Sequence, residues 1–258
     1  MGTDNNVTKL AITGNTKLTL NSMKSILSLP KYKIMYVFGL NEENMQNKVN
    51  SVDMSSFCKK NNIILDKSED WENFHEYCNN NKIDKIITLG DSRIIPSKIV
   101  NAFDTIGNHG AILPDVQGGA SLVWGRMLNN GVWGVSIMKI GERVDSGDIL
   151  KIRHIYYHEK TTEEDFTTMA DYATMQALIE VLQGKYEIIP NKKWQVRIAR
   201  HTDSYKVNEI LKICLHHRIP VYLPPRRPSD GKIKESWPED YKEIFKMANE
   251  APYPKWSE

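Results

Sequence analysis

The sequence predicts an α/β fold: a Rossmann-like, mostly parallel sheet with helices on both faces, followed by a small loop-rich C-terminal appendage. Three observations lead to this prediction. Short apolar runs alternate with helix-like polar stretches through the first half of the chain, as expected for parallel strands joined by helical crossovers. The 258 residues suffice for one large domain with a small addition. Seven of the eleven prolines lie beyond Pro190, where the sequence becomes loop-like.

The individual elements follow from the apolar pattern. Apolar runs predict strands and the stretches between them predict helices, with strands at 10–13, 34–38, 63–65 and 83–89 and helices at 22–29, 55–62 and 71–80. Ligands of a parallel sheet bind beyond the carboxyl ends of its strands. We therefore expect the functional residues in the loops that follow Thr13, Phe38, Leu89 and Ile106.

A long helix is predicted over residues 163–182. Its apolar side chains recur at helical spacing, so we interpret them as core residues. Thr162 and Asp165 form the pattern of a capping box at its start, and Gly184 marks its end.

Composition and charge are those of an ordinary globular protein. Apolar residues make up 40% of the chain, charged residues 26%, and the formal net charge is +2, which gives no reason to expect a nucleic-acid partner. No apolar run reaches the roughly 18–20 residues of a membrane span, and the first residues have no signal-peptide core. The three cysteines are scattered without metal-ligand spacing, at Cys58, Cys78 and Cys214. We expect a reduced cytoplasmic protein with no membrane contact, disulfide or metal site.

The segment from Gly107 to Leu150 gives the strongest indication of chemistry. His109 follows the apolar run that ends at Ile106, where a parallel sheet presents its ligand site. Asp145 precedes a glycine-containing turn and can point out of a loop. An aspartate beside a histidine can orient the ring and stabilise its protonated form. Taken alone, each residue is more often structural, the histidine as a hydrogen-bonding group and the aspartate as a turn residue.

This segment resembles the signature of the 10-formyltetrahydrofolate-dependent formyltransferases, and most of all that of the sugar N-formyltransferases. The family pattern is Asn-x-His, a small residue, Leu-Leu-Pro, an Arg-Gly turn, a Trp-containing helix and Asp-x-Gly-x-Ile-Leu. The matching residues occur here in the same order, at His109, Ile112-Leu113-Pro114, Gly118, Trp124 and Asp145-Ser146-Gly147-Asp148-Ile149-Leu150. The resemblance implies a formyltransferase catalytic domain over 1–190 and a small region over 191–258 for acceptor binding or oligomerisation, with a homodimer as one option.

One position departs from the family pattern. Gly107 stands where most members have the first Asn of Asn-x-His, and Asn108 occupies the middle position. We hypothesise that Asn108 takes over the task of holding the formyl oxygen. The alternative is that Asn108 points elsewhere, because neighbouring residues of a strand face opposite ways.

The resemblance implies that a neutral amine attacks the formyl carbon of 10-formyltetrahydrofolate, the co-substrate. His109 would stabilise the resulting oxyanion, while Asp145 holds the imidazole and helps to move the proton that the amine loses. The donor site implied by the resemblance comprises Arg93, Ile95, Ile112, Leu113, Gly141, Glu142 and Val144. For Arg93, a solvated loop charge is the alternative.

The acceptor implied by the resemblance is a nucleotide-linked amino deoxysugar, as used in lipopolysaccharide biosynthesis. Residues 226–233 and 248–254 resemble segments of sugar N-formyltransferases, and Arg226 or Arg227 could meet a pyrophosphate, with a solvated surface pair as the alternative. The backbone of Gly14, Asn15 and Thr16 follows the first strand, and amides at such a helix start suit phosphate. Any strand-to-helix turn can use the same residues.

Two other functions stay open from the sequence. The chain could formylate another amine, on glycinamide ribonucleotide or methionyl-tRNA. It could also be a catalytically silent module that binds folate or a sugar nucleotide, an alternative that Gly107 keeps open. Formyl release separates them, because a silent module would bind folate and yield no tetrahydrofolate.

Overall fold

The computed structural model describes residues 7–191, 195–226 and 228–250. Its strands are β1 (Thr8–Thr13), β2 (Tyr32–Phe38), β3 (Ile64–Asp66), β4 (Lys85–Thr88), β5 (Asp104–His109), β6 (Val116–Gly118), β7 (Val132–Lys139), β8 (Ile149–Tyr156), β9 (Val196–Arg197) and β10 (Val221–Leu223). Its helices are α1 (Lys17–Ile26), α2 (Glu42–Gln46), α3 (Ser55–Lys60), α4 (Trp71–Asn80), α5 (Ser97–Ala102), α6 (Ser121–Leu128), α7 (Glu163–Leu182), α8 (Ser204–His216) and α9 (Glu239–Ala248), with a 3-10 helix at Pro228–Gly231.

Seven strands form the main sheet, in the order β3-β2-β1-β4-β5-β7-β8. The first five run parallel, whereas β7 and β8 are antiparallel to their neighbours. The chain moves from β1 outward to β3 and then returns to β4 on the other side of β1. The strand order therefore reverses between β1 and β4, and such a reversal is where open α/β sheets bind their ligands. The predicted α/β fold with a mostly parallel sheet is confirmed.

Helices cover both faces of this sheet. On β1, Leu10 and Ile12 belong to a core with α1 and α7, whereas Ala11 faces a second core that contains Phe74 of α4 and Ile99 of α5. All three strand residues are fully buried. A strand buried on both sides needs a continuous apolar run, which is why the sequence pattern identified it.

Two helix starts show what local sequence can and cannot indicate. Helix α7 begins after Thr162 as predicted, because the Asp165 N–H donates to the Thr162 hydroxyl at 3.1 Å. Helix α1 begins at Lys17, earlier than the predicted residue 22. Thr16 and Thr19 form a reciprocal capping box there, and a threonine in place of the usual Glu or Gln hides that start from the sequence pattern.

The region after residue 190 forms a small appendage, with more regular structure than the loop-rich prediction. Strands β9 and β10 join β6 in a second parallel sheet, in the order β6-β10-β9. Helices α8 and α9 contribute 13 and 10 residues. Leu211 and Phe245 pack in one core with Trp124 and Trp133, so the appendage shares its interior with the preceding chain. No helix within the described ranges is long and apolar enough to cross a bilayer.

Candidate active site

His109 and Asp145 lie side by side at the carboxyl edge of the parallel strands. His109 ends β5, and Asp145 lies in the loop between β7 and β8. Nδ1 of His109 is 3.3 Å from Oδ1 of Asp145, and the side chains are 7% and 10% exposed. The structure thus brings the two predicted catalytic residues into contact.

The second ring nitrogen of His109 faces the backbone. Nε2 lies 3.0 Å from the carbonyl oxygen of Val116, and a carbonyl can only accept, so Nε2 carries a hydrogen. Nδ1 faces the Asp145 carboxylate, which is also an acceptor. The imidazole of His109 therefore faces an acceptor at each of its two nitrogens.

The Asp145 loop is held by contacts from both sides. Oδ2 of Asp145 accepts the Gly118 N–H at 2.9 Å. Nδ2 of Asn191 donates to the carbonyl oxygens of Asp145 at 2.8 Å and Gly147 at 3.1 Å. Asp145 itself has φ +53, a left-handed conformation in which Asp is several-fold enriched. A Cβ at position 147 would lie 1.9 Å from the Lys139 carbonyl oxygen, so the glycine of the Asp-x-Gly motif is required.

Gly107 is closely packed, so the amide side chain of the family pattern would require the neighbouring side chains to move. A Cβ there would lie 2.5 Å from Cγ2 of Thr88 and 2.6 Å from Cδ1 of Ile140. Alternation along β5 places the Asn108 side chain on the opposite face, where its Oδ1 accepts the Gly90 N–H at 3.1 Å. This bond identifies the carboxamide oxygen. Nδ2 of Asn108 is then a donor for which the described part of the chain supplies no acceptor.

The His109–Asp145 pair opens onto a cavity of about 610 Å³, which we call the main cavity. Its volume is typical of sites for small molecules. Five predicted donor residues line it, namely Arg93, Ile95, Gly141, Glu142 and Val144. Apolar side chains complete much of the wall. Met138 and Ile140 come from β7 and the residue after it, whereas the appendage supplies Ile198, Tyr222, Pro224 and Pro225.

Arg93 holds the loop that follows β4. Its guanidinium donates to the carbonyl oxygens of Phe38 at 2.9 Å and Gly39 at 2.8 Å, and pairs with Asp91 at 2.7 Å. It also lies over the Phe38 ring, 4.5 Å from the centroid. Burial would raise the pKa of Asp91, but the hydrogen bonds and charge of Arg93 outweigh it and hold that pKa below its usual range. Arg93 is therefore not a solvated charge, because its guanidinium is used in contacts within the protein.

Ile112 and Leu113 lie behind the catalytic pair and do not line the main cavity. Leu113 is fully buried against Met138, and its N–H donates to the Ser136 hydroxyl at 3.0 Å. That hydroxyl donates in turn to the Ala111 carbonyl at 2.8 Å. These residues shape the turn after β5.

A second cavity of about 240 Å³ reaches the end of β5 beside α7, and we call it the α7 cavity. Its polar lining includes Thr16, Lys48, Thr167, Asp171 and Thr174. It shares three residues with the main cavity, namely Asp91, Ser92 and Asn108. Asn108 therefore stands where the two cavities meet.

Two charged side chains of the α7 cavity have shifted pKa values. Burial raises the pKa of Asp171 to about 6, with an opposing effect from Lys17. Burial also lowers the pKa of Lys48, against the attraction of Asp91. The Lys48 ammonium donates to the Ser92 hydroxyl at 3.2 Å. Charged groups placed in a cleft at the cost of desolvation are typical of functional sites.

Comparison with known proteins identifies the family. The sequence model described as "Formyl transferase" matches residues 30–182, which is more than half of the chain. The chain belongs to the formyl transferase family. Curated relatives of this chain include methionyl-tRNA formyltransferases of Bacillus thuringiensis (strain Al Hakam) and Bacillus mycoides (strain KBAB4), each 29% identical over 122 residues. That match covers 45% of this chain and only 39% of each relative.

Solved structures resemble this chain over nearly the whole of the given sequence. A sugar N-formyltransferase from Shewanella sp FDAARGOS_354 has a TM-score of 0.64 and 12% identity, over 94% of this chain and 87% of that one. An N-formyltransferase from Helicobacter canadensis, in complex with folinic acid and dTDP-3-aminofucose, has a TM-score of 0.63 and 15% identity, over 93% and 80%. Methionyl-tRNA formyltransferase from Clostridium thermocellum has a TM-score of 0.62 and 15% identity, over 96% and 86%. At such identities the likeness establishes the fold.

The predicted phosphate loop of this chain, residues 14–16, uses most of its polar groups in contacts within the protein. Asn15 donates through Nδ2 to the Val52 carbonyl at 2.8 Å and accepts the Leu40 N–H at 3.2 Å. Thr16 caps α1, and the first free N–H of that helix, on Lys17, donates to the Asn50 carbonyl at 3.0 Å. A Cβ on Gly14 would lie 2.0 Å from the Leu89 carbonyl. These residues therefore close the helix start, and of the three predicted ones Thr16 lines the α7 cavity, whereas Gly14 and Asn15 line neither of the two cavities described.

Arg226 lies inside the appendage, away from both cavities. It donates to Oδ1 of Asn249 at 2.6 Å and to the Asp230 carbonyl at 3.2 Å, and its guanidinium lies near the rings of Trp124 and Phe245. This placement fits a packing role and differs from both the predicted pyrophosphate contact and the solvated pair. Arg227 lies outside the described residues.

Sequence reasoning missed Asn191, Lys48, Asp171 and Arg197. Asn191 acts on the Asp145 backbone from a distant part of the chain, and no local motif marks such a contact. The other three are isolated charges in unremarkable sequence, and only the fold places them at cavities. Among the described residues, no three His, Cys, Asp or Glu side chains are grouped to hold a metal ion.

Proposed function

We propose that this formyltransferase moves a formyl group from 10-formyltetrahydrofolate to the amine of a nucleotide-linked amino deoxysugar. The main supporting observation is that two cavities meet at Asn108, and that the larger of them is also lined by the paired His109 and Asp145. Transfer between two bound molecules requires both to approach one point in a fixed orientation. We assign the donor to the main cavity and the acceptor to the α7 cavity.

The main cavity suits a reduced pterin. Such a ring system is flat, with polar edges and apolar faces. Ile95, Met138 and Ile140 supply apolar surface, and the backbone of residues 141–144 lines the same space. Small-molecule sites commonly combine an apolar wall with a few backbone donors and acceptors.

The chemical step needs a stabilised oxygen and a path for one proton. The amine nitrogen forms a bond to the formyl carbon, negative charge develops on the formyl oxygen, and the bond from that carbon to N10 then breaks. The amine loses a proton and N10 gains one. The Nδ2 donor of Asn108 stabilises the oxyanion, aided by the positive charge of His109. Asp145 keeps the imidazole oriented and helps to move the proton from the amine toward N10, directly or through water.

Direct donation from His109 to the oxyanion requires a change of partner. Nε2 of His109 is 3.0 Å from the Val116 carbonyl, so it would exchange that oxygen for the formyl oxygen. Catalytic hydrogen bonds often reach their final geometry only in the substrate complex. In our proposal Asn108 is the first donor and His109 acts mainly through its charge.

The α7 cavity suits a polar, phosphate-bearing acceptor. The Thr167 and Thr174 hydroxyl oxygens, whose hydrogens are donated within α7, can still accept from a sugar hydroxyl, and Asp171 offers a carboxylate. Lys48 supplies a positive charge at the same cavity, in place of the predicted Arg226. The Helicobacter canadensis structure, which holds dTDP-3-aminofucose, and the Shewanella sugar N-formyltransferase share the fold of this chain, which supports the same class of acceptor.

Methionyl-tRNA is the second candidate acceptor. The curated relatives at 29% identity are methionyl-tRNA formyltransferases. A tRNA needs a cationic surface that neutralises several phosphates, whereas this chain has a formal net charge of only +2. The nucleotide-linked sugar is therefore the favoured acceptor.

An acceptor panel tests the proposal. The purified protein is incubated with 10-formyltetrahydrofolate and, separately, with nucleotide-linked 3-amino and 4-amino deoxysugars, glycinamide ribonucleotide and methionyl-tRNA. We expect a product one formyl group heavier with at least one amino sugar, formed together with tetrahydrofolate. Transfer only to methionyl-tRNA or glycinamide ribonucleotide would replace the acceptor, and folate binding without transfer to any amine would indicate the silent module.

A further inference from the structure

The appendage contributes two polar side chains, those of Tyr222 and Arg197, to the wall of the main cavity. In the second sheet, Tyr222 of β10 is in register with Gln117 of β6 and with Arg197 of β9. In-register residues of parallel strands project from the same face. The preceding register, Val116, Val221 and Val196, belongs to the shared core. The face that carries Tyr222 and Arg197 is therefore turned from the core, and both residues line the main cavity.

The residues that line the main cavity carry an excess of positive charge. Asp91 pairs with Arg93, and Asp145 pairs with His109. In all, the charged residues of the described wall are three acids, Asp91, Glu142 and Asp145, and four arginines, Arg93, Arg143, Arg197 and Arg200, besides His109. Arg197 and Arg200 are exposed residues of the appendage. A cavity with this balance favours an anionic ligand.

Arg197 is held in place and set apart from the catalytic pair. Its guanidinium carbon lies 4.7 Å from the centroid of the Tyr222 ring, a stacking that limits the freedom of the side chain. β9 lies two strand positions from β6, or about 10 Å at the usual strand spacing. β6 carries Gly118, whose N–H holds Asp145. A ligand that reaches from Asp145 to Arg197 must therefore extend across the second sheet.

We propose that Arg197 and Arg200 bind the carboxylates of the glutamate tail of the folate donor, so that the appendage forms part of the donor site. This inference rests on the proposed function. With N10 beside Asp145, the tail lies one benzoyl ring and one amide bond farther out, toward β9. Arginine is well suited to carboxylates because its planar fork can donate two parallel hydrogen bonds. The diphosphate of the acceptor is the other anion of the reaction, and we assign it to the α7 cavity with Lys48.

Equilibrium binding of two donor analogues tests the inference. Tetrahydrofolate carries the glutamate tail, and tetrahydropteroate lacks it. Dissociation constants are measured by calorimetry for the unaltered protein, Arg197→Gln, Arg200→Gln and the double variant. Arg218→Gln is the matched control, because Arg218 is an exposed appendage arginine that lines neither cavity.

We expect tetrahydrofolate to bind the unaltered protein more tightly than tetrahydropteroate. Each arginine substitution should weaken tetrahydrofolate binding about 3- to 10-fold, as for a partly solvated ion pair, and leave tetrahydropteroate binding within about twofold. The double variant should lose most of the preference for the tail, and Arg218→Gln should retain it. Raising the salt concentration should reduce the preference in the unaltered protein.

Three results would overturn the inference. Equal weakening of both analogues would show that the arginines support the fold of the cavity only. Equal affinity of both analogues for the unaltered protein would show that the tail makes no contact. If the variants raise the KM of the acceptor and leave both donor constants unchanged, the arginines bind the acceptor anion. If neither analogue binds the unaltered protein, the proposed function fails as well, which distinguishes that outcome from the other three.

Discussion

Gly118 of β6 lies so close to Leu223 of β10 that a Cβ on the glycine would be 2.2 Å from the Leu223 carbonyl oxygen. The same glycine donates its N–H to Asp145, and Val116, two residues earlier on β6, accepts from His109. The strand that holds the catalytic pair is therefore fixed by a strand of the appendage. An appendage strand that moved would release both contacts.

This relationship predicts a large effect for Gly118→Ala. Position 118 has φ +99, so an alanine there combines backbone strain with a collision against backbone atoms that cannot rotate away. We expect a loss of about 3–5 kcal/mol in the free energy of unfolding, measured by urea denaturation. Gly184→Ala is the matched control. Gly184 has φ +77, but a Cβ added there would have no atom within 4 Å, so this substitution should cost about 1 kcal/mol.

The two glycine variants also show whether the contact between β6 and β10 affects turnover. Gly118→Ala should lower turnover even in the folded fraction, because the Asp145 and His109 contacts shift with β6. Gly184→Ala should leave turnover unchanged. Equal destabilisation by the two substitutions would contradict the close approach of β6 and β10.

The catalytic pair gives a second prediction. His109→Asn and Asp145→Asn should each reduce kcat about 10²–10⁴-fold, the usual contribution of a positioned acid or base. Both side chains are buried, so a melting curve must show that each variant is folded. His154→Asn, a change of an exposed histidine on β8, is the control and should retain full turnover. Near-normal turnover of either catalytic variant would remove that residue from the mechanism.

The sequence was sufficient for strands β1 to β4 of the main sheet because each of them is marked by its own apolar run. Leu10, Ala11 and Ile12 are buried on both faces, and a central strand of this kind is visible without tertiary information. The second sheet could not be predicted in the same way. Strands β6, β9 and β10 have three, two and three residues, and only their long-range pairing defines them.

The same contrast between local pattern and long-range contact applies to the site residues. His109 and Asp145 belong to motifs whose order is visible in the sequence, and the structure brings them together. Arg226 also lies in a motif-like segment, yet it packs near Trp124 and Asn249. An arginine in a loop can bind a ligand or complete a core, and the neighbours that decide between these roles are remote in sequence.

Asp171 predicts a stability effect that depends on pH. Burial raises its pKa to about 6 from an ordinary value of 3.8, so the folded state holds the proton more tightly than the unfolded state. The associated stability is fully present below pH 3.8 and is lost as the pH rises through about 6. Above that pH the folded protein bears a partly buried carboxylate at a cost.

Asp171→Asn should therefore stabilise the protein at pH 7.5 and have little effect at pH 3.5. We expect the free energy of unfolding to rise by about 1–2 kcal/mol at the higher pH. This is less than the full pKa shift would give, because the side chain is partly solvated. Glu76→Gln, a change of an exposed carboxylate on α4, should show no such pH dependence. If Asp171 contacts the acceptor, its variant should also raise the acceptor KM while the donor KM stays constant. A stability difference that does not change with pH would contradict the pKa shift.

Asn108 provides the sharpest test of how this chain compensates for Gly107. Its Oδ1 accepts the Gly90 N–H, and Nδ2 is the proposed donor to the formyl oxygen. Asn108→Asp keeps an acceptor for Gly90 but removes the Nδ2 donor, so the loop contact survives and oxyanion stabilisation is lost. We expect kcat to fall about 10²–10³-fold, as for removal of one oxyanion donor, with donor affinity and melting temperature little changed. Asn108→Ala loses both contacts and should also destabilise the protein. Normal turnover of Asn108→Asp would show that the formyl oxygen is held by another group, because a carboxylate cannot donate from that position.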